Sequence, residues 1–441
     1  MSTRDGFVTR WLRTAPPLAF ALYGGLAGFA AYSAMYAFRK PFTAASYEHV
    51  AGWPFALDFK VAIVIAQVAG YALSKVIGIK VVSEMPPARR AAAILALTGV
   101  AEVALVGFAT LPAMAGVAAL FVNGLMLGMI WGLVFGYLEG RRLSEVLGAM
   151  LCASFILSSG IVKSAGEALM LGGWASERWM PAATGLLFTP LLLVAVWALA
   201  QLPPPDARDE AERAPRVPMG REQRQRLFAT YAPSLIALIG VYVMLTALRD
   251  FRDNFAAELW RELGFAGEAG IFTWSELPVA VVVLVSMGML IRVRDNRAAV
   301  FWNLALIALG FALLGVATAA FQTGLIGPVA WMIVIGAGLY FAYTPFNALL
   351  FDRLMATTTV AGNAGFLIYV ADACGYVGSV ALLLFRNFGH VTIQWSSFLC
   401  GVCYVACGLG LVGTAIGAAT FRRTLDAEER ALELGALSPA L

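Results

Sequence analysis

Residues 114–138 contain no Asp, Glu, Lys or Arg, and neither do residues 180–201. Each run is long enough to cross the hydrocarbon core of a bilayer as a helix, for which about 20 residues suffice. Similar runs recur along the chain. Of 441 residues, 60% are hydrophobic and 13% charged, too little charge to keep a soluble surface wet. Lipid must therefore cover much of the exterior, and every backbone polar group in it needs an internal partner, which leaves helices or a closed barrel. Barrel strands alternate apolar and polar residues over short segments, and these runs do not. The expected class is an all-α membrane protein.

Spans are expected near residues 17–47, 59–80, 90–110, 114–138, 145–170 and 180–201, then 232–259, 270–291, 298–320, 327–351, 361–385 and 394–421. Between the sets, 202–228 holds Pro203, Pro204 and Pro205 followed by Arg208, Arg213, Arg216, Arg221, Arg224 and Arg226 among acids, the composition of a solvated linker. The expected organisation is an N-terminal six-helix bundle over 1–201, a basic linker over 202–228 and a C-terminal six-helix bundle over 229–441. The bundles are pseudo-symmetric: Ala37-Phe38-Arg39-Lys40 ends the first helix and Ala247-Leu248-Arg249-Asp250 the seventh. Likewise, Glu139 with Arg141 and Asp352 with Arg353 end the fourth and tenth.

Loop charge sets the orientation. Arg89, Arg90, Arg141, Arg142, the linker arginines, Arg292, Arg294, Arg297, Arg353, Arg422 and Arg423 fall on one side, against Arg178, Arg261 and Arg386 on the other. Both termini and the linker are thus expected in the cytoplasm of a bacterial cell, with the protein multi-pass in the inner membrane. Arg4, Arg10 and Arg13 precede an apolar stretch as in a secretory signal, but its length and lack of a small-residue cleavage site read as an uncleaved first helix. Scattered basic residues do not make a nucleic-acid surface, and a monomer in the lipid bilayer is expected. Cys400 and Cys403 have CxxC spacing among Phe398, Leu399, Val402 and Tyr404, and read as small residues at helix contacts, as do Cys152, Cys374 and Cys407. His49 and His390 fall in connecting segments, so neither metal nor cofactor is expected.

A charge inside a span costs about 2.5–3.5 kcal/mol on insertion scales and calls for a reason. Arg39 and Lys40 follow Tyr36-Ala37-Phe38. Either the helix ends there and both snorkel to the headgroups, or it continues through the apolar stretch from Pro41 to Tyr47 and Arg39 lies near mid-membrane. Lys75 sits well inside the second span, Lys163 follows Ser158-Ser159-Gly160 in the fifth, and Arg249 is the deepest of a charged group that includes Asp250, Arg252 and Asp253. Arg39, Lys75, Arg249 and Lys163 together would give a cavity with excess positive charge, and guanidinium forks suit phosphate or carboxylate oxygens. Tyr36, Tyr71, Trp131, Tyr340, Tyr343 and Tyr369 are candidates for the remaining lining, with ordinary helix packing as the alternative for each. Glu276 and Asp372 have two competing roles, as fixed counter-ions to the basic residues or as titrating groups that couple proton movement.

Two six-helix halves joined by a basic linker resemble the major facilitator superfamily, and residues 78–90 resemble its glycine–acid–basic loop, without the usual Asp-Arg pair. Within it, Arg39-Lys40-Pro41-Phe42 and Tyr71-Ala72-Leu73-Ser74-Lys75 are similar to elements of the organophosphate:phosphate antiporters, a family that includes the glycerol-3-phosphate transporter. Arg249 and Glu276 resemble that family's helix 7 arginine and helix 8 glutamate. Ser154 stands where the family has a helix 5 histidine. The resemblance implies that Arg39 and Arg249 bind phosphate from the two halves, Lys75 assists, and Glu276 takes part in charge pairing.

The expected function is secondary transport of a small anionic solute by alternating access, as a phosphate ester, phosphate or organic acid. The alternative is a proton-coupled carrier or exporter of a neutral or amphipathic compound. No nucleophile elbow or phosphate-binding glycine loop points to an enzyme.

Overall fold

The computed structural model describes residues 6–48, 50–139, 144–204, 221–358, 364–389 and 393–433. Arg141, Arg142, His49, His390, Arg208, Arg213 and Arg216, and with them most of the expected linker, lie outside the described residues, as does the side chain of Tyr369.

The described chain is helical. A short amphipathic helix, α1 (Phe7–Thr14), precedes α2 (Pro17–Tyr36) and a 3-10 turn (Pro41–Ala44). Then follow α3 (Phe59–Ser83), α4 (Pro87–Thr110), α5 (Ala113–Leu127), α6 (Ile130–Leu138), α7 (Ser144–Leu171) and α8 (Met180–Ala200). The second half contains α9 (Arg221–Asn254), α10 (Ala256–Glu262), α11 (Ile271–Ile291), α12 (Asn296–Gln322), α13 (Pro328–Ala348), α14 (Leu350–Thr357), α15 (Ala364–Gly389) and α16 (Trp395–Glu433). Among the described residues eleven helical stretches are long and apolar enough to cross a membrane, and α15 adds a twelfth helix of 26 residues. The sequence signals that open helices are local. Asp58 caps α3 by accepting from Lys60 N and Val61 N, and proline stands in the first turn of α2, α4, α8 and α13, where a missing N–H costs nothing.

Contacts divide the chain into two compact units. The first comprises Met1–Arg213, Arg252–Val281 and Leu383–Trp395; the second comprises Ala214–Phe251, Val282–Leu382 and Ser396–Leu441. This division by packing differs from the division by sequence, because the C-terminal end of α9, the N-terminal part of α11 and the end of α15 belong to the first unit. In that unit α3 packs on α5, α2 on α7 and α8, and α4 on α5 and α8. In the second, α12 packs on α13 and α14. The outward positions are apolar: α8 exposes Leu186, Leu187, Leu193, Val194 and Trp197, a surface suited to lipid.

Candidate functional site

The first helix stops at Tyr36 and does not run on to residue 47. Pro41 has no N–H to give to the preceding turn, and the chain leaves the helix through Ala37–Lys40 and turns again as Pro41–Ala44. Of the two alternatives for this helix the chain takes the end at Tyr36, yet Arg39 and Lys40 beyond it are buried, as are residues 41–45.

The end of a helix frees carbonyls that must find donors. Two amide side chains supply them. Asn123 Nδ2 donates to Phe38 O at 2.9 Å and also to Ala101 O at 3.1 Å. Gln67 Nε2 donates to Arg39 O at 2.8 Å and to Asn123 Oδ1 at 2.9 Å. Both amides are buried. They fix the backbone on either side of the Phe38–Arg39 peptide and so aim the arginine.

Arg39 is 8% exposed, and its guanidinium lies 3.8 Å from the centroid of the Tyr71 ring and 5.7 Å from that of Tyr36. Lys75 Nζ is 5.7 Å from the same Tyr71 ring, and Tyr32 and Tyr71 bring their hydroxyls to 3.4 Å. Four of the sequence candidates, Arg39, Lys75, Tyr36 and Tyr71, are therefore neighbours in the first unit. Cations held on aromatic faces in a place shielded from water are each favoured by about 2 kcal/mol or more.

Lys163 has another partner. Asp253 stands between two ammonium groups, with Lys163 Nζ 2.5 Å from Oδ1 and Lys40 Nζ 2.5 Å from Oδ2. Ser159 donates to Oδ1 at 2.5 Å, and Lys40 also donates to Asn254 Oδ1 at 2.7 Å. Small residues allow this approach: a methyl group on Gly160 would overlap the carbonyl of Phe272, and Ser164 and Thr273 share a hydrogen bond at 2.7 Å. Nearby in chain, Arg252 pairs with Glu276 at 2.8 Å, so Glu276 faces Arg252 as its counter-ion. Lys60, which no sequence motif singles out, is 1% exposed, pairs with Glu258 at 2.5 Å and donates to Thr43 O at 2.9 Å. Burial pushes the Glu258 carboxyl above its ordinary range, and Lys60 pulls it partly back. Lys40, Lys60, Lys163 and Arg252 thus face three carboxylates, with Lys40 and Lys163 sharing Asp253.

Arg249 belongs to the second unit and lies within helical backbone, unlike Arg39. Its guanidinium lies 4.0 Å from the Tyr343 ring centroid and pairs with Asp250 Oδ1 at 2.7 Å. Ser379 donates to Asp250 Oδ2 at 2.8 Å. The Tyr242 hydroxyl donates to Asp372 and lies 3.1 Å from the Tyr343 hydroxyl. Asp372 is therefore joined through Tyr242 to Tyr343, the tyrosine on which Arg249 rests. Tyr340 is buried, while Trp131 stacks on Phe135 with centroids 4.9 Å apart, as ordinary packing would have it.

The fold is shared with solved transporter structures. The chain is similar to a D-xylose-proton symporter, with a TM-score of 0.60 and 14% identity over 91% of this chain and 97% of that one. It is also similar to a mutant form of the peptide transporter POT in complex with sulfate, with a TM-score of 0.59 and 13% identity over 92% of this chain and 96% of that one. The protein thus has the fold of the major facilitator superfamily, a multi-pass helical membrane architecture. By sequence it belongs to the family of unknown function DUF5690, which it matches over residues 41–424. No curated protein matches it.

Proposed function

We propose that the protein is a secondary carrier that moves a small anionic solute across the bacterial inner membrane by alternating access, with its termini in the cytoplasm. The observation that carries this reading is the convergence of Arg39 and Lys75 on the Tyr71 ring beside the end of the first long helix. Two cations on one rigid face offer a phosphate or carboxylate both charge and a planar fork. Arg249 on Tyr343 repeats the arrangement in the second unit and supports the same chemistry. The resemblance to organophosphate:phosphate antiporters adds phosphate esters to the candidate substrates. Lys163 is assigned here to holding Asp253 and not to the substrate, since that carboxylate already takes its charge.

Purified protein in proteoliposomes should take up inorganic phosphate, a phosphate ester or a dicarboxylate. Arg39→Ala and Arg249→Ala should each abolish that uptake while the protein stays folded by circular dichroism. Undiminished uptake in both variants would refute the proposal. The second reading, a proton-coupled carrier of a neutral solute, is favoured by the Tyr242–Asp372 hydrogen bond, which places an acid beside the Arg249 site. Uptake driven by a pH gradient and indifferent to every anion would select it.

A further inference from the structure

Glu102 lies inside α4, among the apolar residues of a membrane span. Both carboxylate oxygens are buried, and neither has a hydrogen-bond partner among the described residues. The helices packed on α4 are α5, α6 and α8. Neither α5 nor α8 contains a titratable side chain. In α6 the titratable group is Tyr137, whose ring lies 6.0 Å from the Arg90 guanidinium. Arg90 is itself separated from Glu102 by roughly 18 Å of helix. Arg89 shares that first turn of α4. At the other end Arg178 is occupied with the carbonyls of Phe108 and Leu111. From the segment after α2 it is the ring of Phe38 that reaches this place.

The slot is made by a glycine. A methyl group on Gly185 would overlap Glu102 Oε2 and come within 3.0 Å of the Phe38 ring. Beneath it, Ala101, the residue before Glu102, gives its carbonyl to Asn123 Nδ2, which also holds Phe38 O. Stripping an ionised carboxylate of water without a donor or a cation costs far more than burying the neutral acid. Among the described residues no second carboxylate, thiolate or imidazole joins Glu102 to make a metal site, so the ligand the slot suits is a proton.

We propose that Glu102 is a proton-binding site, occupied in this arrangement and linked through Ala101 O and Asn123 to the backbone that carries Arg39. Release of the proton requires water or a cation to reach the carboxylate, and so requires the slot between Phe38 and Gly185 to open. Movement of Phe38 moves the peptide that Asn123 and Gln67 hold, and with it the arginine. The proton site stands by itself; its part in transport rests on the carrier function proposed above.

Infrared spectra of the full-length protein in lipid nanodiscs at neutral pH should contain the C=O stretch of a protonated carboxylic acid. Glu102→Gln should remove it. A band of equal strength in both proteins would overturn the assignment. If the variant does not fold, dicyclohexylcarbodiimide, which reacts with protonated carboxyls in apolar surroundings, should modify the wild-type protein on the proteolytic peptide containing Glu102. Absence of that adduct would equally overturn it. The two readings fail separately. A wild type without the band but with anion uptake would lose the proton site and keep the carrier. A wild type with the band that carries none of the anions tested would do the reverse.

Discussion

The Arg39 guanidinium lies over the Tyr71 ring, with 3.8 Å between the guanidinium carbon and the ring centroid. The contact joins the broken end of α2 to the middle of α3. It holds a charge that would otherwise sweep out a large volume in one orientation, with its plane set by the ring. Preorganisation of this kind is where a binding site gains affinity without adding contacts.

Arg39→Lys tests the plane as distinct from the charge. An ammonium keeps the charge and loses both the fork and the stacking. Affinity for inorganic phosphate or a dicarboxylate should fall about tenfold, equivalent to about 1.4 kcal/mol. Ligand-dependent thermal shifts of the purified protein measure this. Equal affinity in the variant would mean that only the charge matters.

Asp253→Asn removes the carboxylate between Lys40 and Lys163 and leaves two buried ammonium groups facing each other across an amide. Losing one partner of a buried ion pair costs about 3–5 kcal/mol, so the variant should melt markedly lower than wild type. A second substitution, Lys163→Met, should recover part of the loss. Additive losses in the double variant would argue against direct pairing.

Glu258 predicts a pH dependence. Its carboxyl titrates above the ordinary range, so the folded protein binds this proton more tightly than the unfolded chain does. The group's contribution to stability is therefore full below the unfolded value of about 4.3 and is lost as pH rises through the folded value. Glu258→Gln should abolish that component, so the melting-temperature difference between wild type and variant should fall as pH rises. A difference that grows with pH would mean that pairing with Lys60 outweighs burial.

Gly185→Ala places a methyl group where Glu102 Oε2 and the Phe38 ring now sit. Overpacking of this sort costs about 1–3 kcal/mol. The loss should shrink in the Glu102→Ala background, because the group it collides with has gone. A thermal melt of the two single variants and the double variant decides it.

Tyr242→Phe takes the hydroxyl from Asp372 and leaves a buried carboxylate with one donor fewer. The expected loss is about 1–3 kcal/mol by thermal or denaturant melting. Tyr343→Phe, which removes a neighbour and not the donor to Asp372, should cost less.

The spans were legible because apolar runs of this length have one physical solution, and their ends are marked by proline, by Asp58 and by arginine. The cluster around Tyr71 was partly legible, since Arg39, Tyr71 and Lys75 are charges and rings where hydropathy forbids them without cause. The end of α2 at Tyr36 was only one of two alternatives, because an apolar stretch follows it. Its signal was distributed: Pro41 nearby, and Asn123 and Gln67 as lone amides in other apolar helices. The partner of Lys163 lies 90 residues away at Asp253, and no local spacing relates them. Lys60 reads as a surface residue in a first helical turn until Glu258 covers it. Glu102 carries no motif, and averaging over a window hides a single acid among alanines and valines.

The break after Tyr36 binds three distant positions into one heritable unit. Pro41 opens the backbone, and the amides at 67 and 123 absorb what it exposes. A relative that regained an ordinary residue at 41 and a continuous helix would turn its arginine to another azimuth and leave each buried amide a partner short. Lineages should therefore exchange these three residues jointly or preserve them jointly, and a sequence with only one of them altered should belong to a protein that has given up the arginine as well.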